Sequence, residues 1–183
     1  MIFLGGVHGV GKTSMSDGIS EKFDLKVISA SAIIREEREQ PSPDSRTAVS
    51  NIGGNQGLLI RGMQRLATDS PGNYLLDGHF ALRTLAGKIE EIDACVFHSL
   101  GVKGLVCLVD DPDAIARRLA ARDGEDHDVD AIAQLQAAEL SSAESVSRNL
   151  GLGLSIVQAF DERAFEASLR VLLGLSVGDL NIQ

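Results

Sequence analysis

The residues with the plainest chemistry stand near the start of the chain: Gly6-Val7-His8-Gly9-Val10-Gly11-Lys12-Thr13, followed by Ser14. Glycines spaced in this way let the backbone wrap so that its N–H groups converge on an anion. Lys12 brings a positive charge to the β- and γ-phosphates of a nucleotide, and the Thr13 hydroxyl is a ligand for Mg²⁺, which keeps most of its waters. A helix that starts at the lysine points its positive dipole end at the same place. Gly6, His8, Gly9, Val10, Gly11, Lys12, Thr13 and Ser14 are therefore read as a binding loop for ATP and Mg²⁺. His8 either touches phosphate or fills a loop position that tolerates several side chains.

Other reactive side chains lie further along. Asp77 closes the apolar run Tyr74-Leu75-Leu76, and ligands of open α/β sheets bind outside the carboxyl ends of strands. It is read as positioning magnesium waters or an acceptor, the alternative being a turn aspartate. His79 either contacts the acceptor, supports Asp77 or is structural. Arg118 and Arg122 share one helix face and suit clamping a phosphate chain for in-line transfer; the alternative is surface pairing with nearby acids. An acceptor phosphate would want an arginine. Arg35, Arg46, Arg61 and Arg65 are candidates, and Arg35 is preferred because it follows Ala32-Ile33-Ile34 at the entry to a helical segment, the alternative being a solvated charge run over 35–39. The amides of Asn51, Asn55 and Gln56 can read a base edge. Gln56 falls on the apolar face of its helix, where a buried amide requires a partner.

These residues need elements to hold them. Ile2-Phe3-Leu4, Lys26-Val27-Ile28, Tyr74 to Leu76, Leu105 to Val109 and Leu152 to Val157 read as short buried strands. Met15, Ile19 and Phe23 recur at helical spacing and predict one helix from Lys12 to Lys22. Ser29 and Ser31 are candidate caps for a helix from Ala32 to Gln40. Pro41 to Ser45 is a loop. From Arg46 a longer helical face runs through Val49, Ile52, Gln56, Leu59, Met63 and Leu66, interrupted by Gly53, Gly54 and Gly57. Each glycine costs about 1 kcal/mol against alanine, so close packing or a ligand against the backbone should compensate.

Residues 81–100 read ambiguously apart from a short helix at Ala94 to Phe97. Asp111-Pro112 caps a helix that buries Ile115 and Leu119. The segment 122–130 is a polar, acidic loop, Val129 to Arg148 a helix and Glu162 to Leu173 a terminal helix. Strands alternating with helices mean α/β with a parallel sheet. The expected fold is a three-layer nucleotide-binding architecture, with a five-stranded parallel sheet and helices on both faces.

The chain has 183 residues, enough for one domain, 1–183. Its net charge of −9 argues against a nucleic-acid partner but leaves room for a magnesium nucleotide, which needs only a few local cations. Cys95 and Cys107 both sit in apolar runs and read as reduced core thiols. The first residues show neither a basic lead nor a cleavage site, and no stretch approaches the ~20 apolar residues of a membrane span. The expectation is a cytoplasmic enzyme with nucleotide substrates.

The loop resembles that of small P-loop nucleoside monophosphate kinases, closest to archaeal-type adenylate kinases. The likeness continues in order through Asp77-Gly78-His79, the pair Gly87-Lys88, Arg117-Arg118-Leu119, the step Arg122-Asp123 and an alanine-rich helix before the last strand. It implies an acceptor-binding helical segment at 30–70, a short lid at 118–130, catalytic roles for Lys12, Asp77, Arg118 and Arg122, and acceptor contacts from Arg35, Gln56 and His79. It also implies ATP-dependent phosphoryl transfer to a nucleoside monophosphate. Two alternatives stay open: a kinase of a small metabolite, and a slow ATPase acting as a nucleotide-dependent switch or assembly factor.

Overall fold

The structure, a computed structural model, describes residues 1–39 and 54–175. Five strands form one sheet: β1 (Ile2–Gly5), β2 (Leu25–Ser29), β3 (Asn73–Asp77), β6 (Gly104–Val109) and β7 (Gly153–Gln158). Their order is β2-β3-β1-β6-β7, and every neighbouring pair is parallel. Parallel strands need crossovers, and these put helices on both faces.

The strand period of two sorts the core into two layers. Ile2, Leu4, Leu75, Val106 and Leu108 face one layer, where they meet Met15, Phe23, Ile115, Phe165 and Leu169. Phe3, Leu76, Leu105 and Cys107 face the other, with Ile33, Leu59, Met63, Phe97, Ala143 and Val146. The first layer is built by α1 (Lys12–Ser16), α2 (Ile19–Phe23), α6 (Pro112–Asp123) and α8 (Glu162–Leu173). The second is built by α3 (Ala30–Glu39), α4 (Gly54–Asp69), α5 (Ala94–Ser99) and α7 (Val129–Leu150). This is the expected three-layer fold. Asp111, Asp128 and Asp161 cap α6, α7 and α8 by accepting from backbone N–H groups, and Gly124, Gly151 and Gly174 end them in the left-handed region.

Several expectations need correction. The helix read from Lys12 to Lys22 is two helices. Asp17 turns extended and Gly18, at φ 74°, restarts the chain as α2. Met15, Ile19 and Phe23 still reach one core, so their spacing carried a true burial signal and a false continuity. Ser29 ends β2 and stands directly ahead of α3, whereas Ser31 lies inside α3 and is not its cap; their hydroxyls are 2.8 Å apart. Residues 81–91 hold an antiparallel pair, β4 (Ala81–Arg83) and β5 (Ile89–Glu91), turned at Gly87. Cys107 is buried, and burial pushes its thiol up to about 12, but Cys95 is exposed.

Of the helical glycines, Gly54 and Gly57 have open space around them; Gly53 lies outside the described residues. The close approach falls instead at Gly62, where a Cβ would stand 2.3 Å from Ile33 as α4 packs on α3. Arg46, Val49, Asn51 and Ile52 also lie outside the described residues. Among the described residues no helix is long and apolar enough to cross a membrane.

Candidate active site

β1 delivers the chain to the glycine loop at its carboxyl end. Gly6, Gly9 and Gly11 sit at φ of 137°, 76° and 116°, values that L side chains rarely adopt. Space forbids a Cβ as well: at Gly6 it would lie 2.7 Å from the Leu108 carbonyl oxygen, and at Gly9 2.7 Å from Leu119. Val7 and Val10 anchor the loop in the core. Lys12 opens α1 and is 8% exposed, with its ammonium folded toward the loop. Nζ donates to the carbonyl oxygens of Gly6 at 2.5 Å and Val7 at 3.3 Å.

Asp77, at the end of β3, places Oδ1 3.8 Å from Lys12 Nζ. Burial holds the ammonium below its ordinary value and raises the carboxyl above its own; mutual attraction opposes both shifts. The two partners thus agree that burial outweighs their pairing. Two residues on, His79 bonds through Nδ1 to Glu139 Oε1 at 2.6 Å. Glu139 Oε2 accepts from the Phe80 backbone N–H, also at 2.6 Å. His8 is exposed at the cleft mouth, its ring centre 4.5 Å from that of His79. Although its outer surface is exposed, the ring sits among crowded cleft residues; that desolvation first, then His79, Lys12 and Arg122, lower its imidazole to about 4, so it is neutral near pH 7.

The two arginines differ. Arg118 donates from Nε to the Gly9 carbonyl oxygen at 2.9 Å and from a terminal nitrogen to Asp110 Oδ2 at 2.6 Å. Its guanidinium carbon lies 5.0 Å from the Phe160 ring centre. Asp110 is itself held by Gln158 at 2.6 Å and by paired bonds with Gln136. Arg122 is exposed and forks onto the adjacent Asp123 at 2.6 and 2.8 Å, the surface pairing that was its alternative reading. Both still line the cleft. Of segment 118–130, residues up to Asp123 finish α6 and those from Val129 begin α7.

The cleft has a volume of about 620 Å³ and runs from the glycine loop across the ends of β1 and β3 to α3 and α4. Lys12, Thr13, Ser14, Asp77, His79, Arg118 and Arg122 line its glycine-loop side and centre. Ser29, Ser31, Ile34, Asn55, Gln56, Leu59 and Leu82 line its far side. Gln56 is half-buried there, and Asn55 accepts from Arg38 at 2.9 Å. Arg35 is exposed on α3 and is absent from the cleft lining, as are Arg61 and Arg65. Thr13 and Asp77 share this cleft and a smaller neighbouring cavity. One hydroxyl and one carboxylate form a hard oxygen set that suits Mg²⁺ with its waters and phosphates.

Residues 5–136 match the protein family described as AAA domain. The chain belongs to this family. Among solved structures, this AAA-domain protein is similar to a gluconokinase from Sinorhizobium meliloti 1021, with a TM-score of 0.53, 18% identity and 94% and 93% of the two chains covered. It is also similar to a sugar kinase from Janibacter sp. HTCC2649, with a TM-score of 0.56, 17% identity and 96% and 94% covered. A third likeness is to shikimate kinase from Bacteroides thetaiotaomicron, with a TM-score of 0.51, 21% identity and 95% and 98% covered. No curated protein matches. These likenesses show that the AAA domain here has the fold of P-loop kinases; none of the three is an adenylate kinase.

Sequence reasoning missed two residues of this AAA-domain site. Glu139 lies just beyond the matched span and looks like an ordinary acid of an alanine-rich helix. Its signal was position: Ser142, Ala143 and Val146 follow at helical spacing and all are buried, so Glu139 shares the buried face. Phe160 left no comparable trace. It holds a φ of 66°, is 51% exposed and covers Gly11, where a Cβ would lie 2.9 Å from its ring.

Proposed function

We propose that the protein transfers the γ-phosphoryl group of ATP to a hydroxyl of a small polar metabolite. One observation carries this reading. The far side of the cleft offers hydroxyls and amides from Ser29, Ser31, Asn55 and Gln56 and, among the described residues, no arginine. Asp77 and His79 stand between these groups and Lys12. Such a wall suits a hydroxylated acceptor better than one that carries a phosphate.

In this reading the glycine loop and Lys12 bind the β- and γ-phosphates. Arg118 braces the loop through Gly9, and Arg122 is within the cleft to meet phosphate charge once it leaves Asp123. Thr13, and Asp77 through water, hold Mg²⁺, which supplies charge neutralisation on the phosphates. Residues 30–70 serve as the acceptor segment and 118–130 as a short lid. A cytoplasmic setting goes with this reading.

Transfer to a nucleoside monophosphate, the adenylate kinase-like reading, is second. The amides of Asn55 and Gln56 favour it as readers of a base edge. It requires an arginine for the acceptor phosphate, which Arg35, Arg61 and Arg65 do not bring to the described cleft wall. The deciding experiment is ADP release from ATP against a panel of hydroxylated metabolites and nucleoside monophosphates, with Lys12→Ala as control. A metabolite that raises Lys12-dependent ADP release with its own phosphorylation is the expected result. Stimulation by AMP alone would replace this reading with the second. Hydrolysis indifferent to every acceptor would favour the switch.

A further inference from the structure

The far side of the cleft changes character along its length. At the end of β2, Ser29 is in register with Asp77, and its hydroxyl is 2.8 Å from that of Ser31. Asp77 is in turn 3.8 Å from Lys12 Nζ, so this stretch of wall is polar and close to the phosphate-binding lysine. On α4 the wall is different. Gln56 and Leu59 stand three residues apart on one helix face, and both line the cleft. Ile34 of α3, Leu82 of β4 and Ile92 after β5 line the same cleft and are only partly covered, Leu82 being 40% exposed.

The Gln56 amide is half-buried yet bonds no partner among the described residues. Its carbonyl and NH₂ groups offer an acceptor and a donor side by side, which match the neighbouring donor and acceptor atoms on the edge of a nucleobase. Asn55, one residue earlier, has Oδ1 taken by Arg38 at 2.9 Å, which leaves its NH₂ to donate. Arg38 does not line the cleft, and among the described residues no arginine does on this side. The amides therefore call for a base, and the wall has no fork for a phosphate. A base without a phosphate meets both conditions. Its apolar faces would also cover Ile34, Leu82 and Ile92, which a bare sugar or polyol would leave wet.

We propose that the acceptor is a nucleoside, phosphorylated on a sugar hydroxyl. This rests on the hydroxyl-acceptor reading above and names the substrate class of that site. Gln56 and Asn55 hold the base edge, the apolar side chains cover its faces, and Ser29 and Ser31 meet the sugar. The sugar O–H bond breaks and its proton leaves to water. The oxygen forms a bond to the γ-phosphorus, the bond from that phosphorus to the bridging oxygen breaks, and its electron pair leaves with ADP. The products are a nucleoside monophosphate and ADP.

The test measures ADP release from ATP with ribonucleosides, deoxyribonucleosides, ribose, sugar acids, polyols and nucleoside monophosphates, with the phosphorylated product identified by ³¹P NMR. At least one nucleoside should be converted to its monophosphate. Its kcat/KM should exceed that of ribose by at least about 10²-fold, the weight of the base's hydrogen bonds and buried faces. In Q56A and in L82N that preference for nucleoside over ribose should each time fall by about 10-fold. Free bases, which carry no sugar hydroxyl, should inhibit wild type competitively with the nucleoside and not with ATP. This second measurement serves should a variant fail to fold. Phosphorylation of a sugar acid or polyol but of no nucleoside would overturn the nucleoside and leave the hydroxyl-acceptor reading standing. A preference unmoved in both variants, or free bases that compete only with ATP, would overturn the base wall. Turnover of nucleoside monophosphates alone, or of no acceptor at all, would defeat both readings.

Discussion

The donor and far sides of the cleft are made from different materials. The donor side is mostly backbone: three glycines at positive φ, a helix start and one lysine bonded to the loop's own carbonyls. The far side is mostly side chains, brought from the end of β2, from α3, α4 and the β4–β5 pair. A backbone site is specified by consecutive residues, since no other residue fits those dihedrals or that space. A side-chain site is specified by which helix faces meet, and many sequences satisfy that. The first kind should be brittle to single changes and the second graded.

The sharpest way to break this contrast is Lys12→Ala. It should cut ADP formation by about 10³-fold or more, through lost stabilisation of charge on the transferred group. Circular dichroism should show the fold intact, and turnover near that of wild type would remove the donor assignment. Next comes Asp77→Asn, expected to lower turnover by about 10²-fold. The same change should raise the thermal midpoint at pH 7. Burial lifts the folded carboxyl above its ordinary value, so the stability it contributes when protonated is lost as pH rises through that raised value; a neutral amide avoids the loss. A lower midpoint at pH 7 would contradict the burial argument.

On the far side the effects should shrink. Gln56→Ala should raise the acceptor KM by about 10-fold, the weight of one or two lost hydrogen bonds. Arg35→Ala, on the exposed face of α3, should change KM by less than about 2-fold, as exposed charges do. The reverse ranking in steady-state kinetics would restore a phosphate-bearing acceptor. A separate effect, on stability and not on turnover, belongs to His8. Its imidazole lies at about 4 in the folded protein against 6.5 when free. The unfolded chain therefore binds more protons between those values, and stability should fall as pH drops through them. His8→Gln should flatten that part of a curve of thermal midpoint against pH, and parallel curves would remove His8 from the balance.

The same contrast explains what the sequence disclosed. The five strands were legible as compact apolar runs; β1 and β6 are buried almost throughout, while the edge strands β2 and β7 are only partly buried. Lys12 and its glycines were legible because their geometry excludes substitutes. The break at Gly18 was hidden by core residues that kept helical spacing across it. The β4–β5 pair was hidden because strands of three residues carry too few positions to show a period. Arg35 was preferred on its place after an apolar run, which located the helix but not the face it presents. Glu139 looked solvated because a helix acid usually is, and only the burial of its i+3, i+4 and i+7 neighbours marks it otherwise.

One rod, α7, ties together several segments behind the cleft. Along its 22 residues, about 33 Å by the helical rise, the Ala131 carbonyl oxygen accepts from Arg83 of the β4–β5 pair and Gln136 holds the Asp110 backbone. Further on come Glu139 and Ser142, which bond the segment after β3. Each extra residue in a helix turns everything beyond it by about 100°. An insertion between Ala131 and Ser142 would swing at least one of these contacts out of register, whereas added length in 124–128 would leave all four in phase. Natural length variation in this chain should therefore gather in that connection and avoid the stretch of α7 behind the cleft.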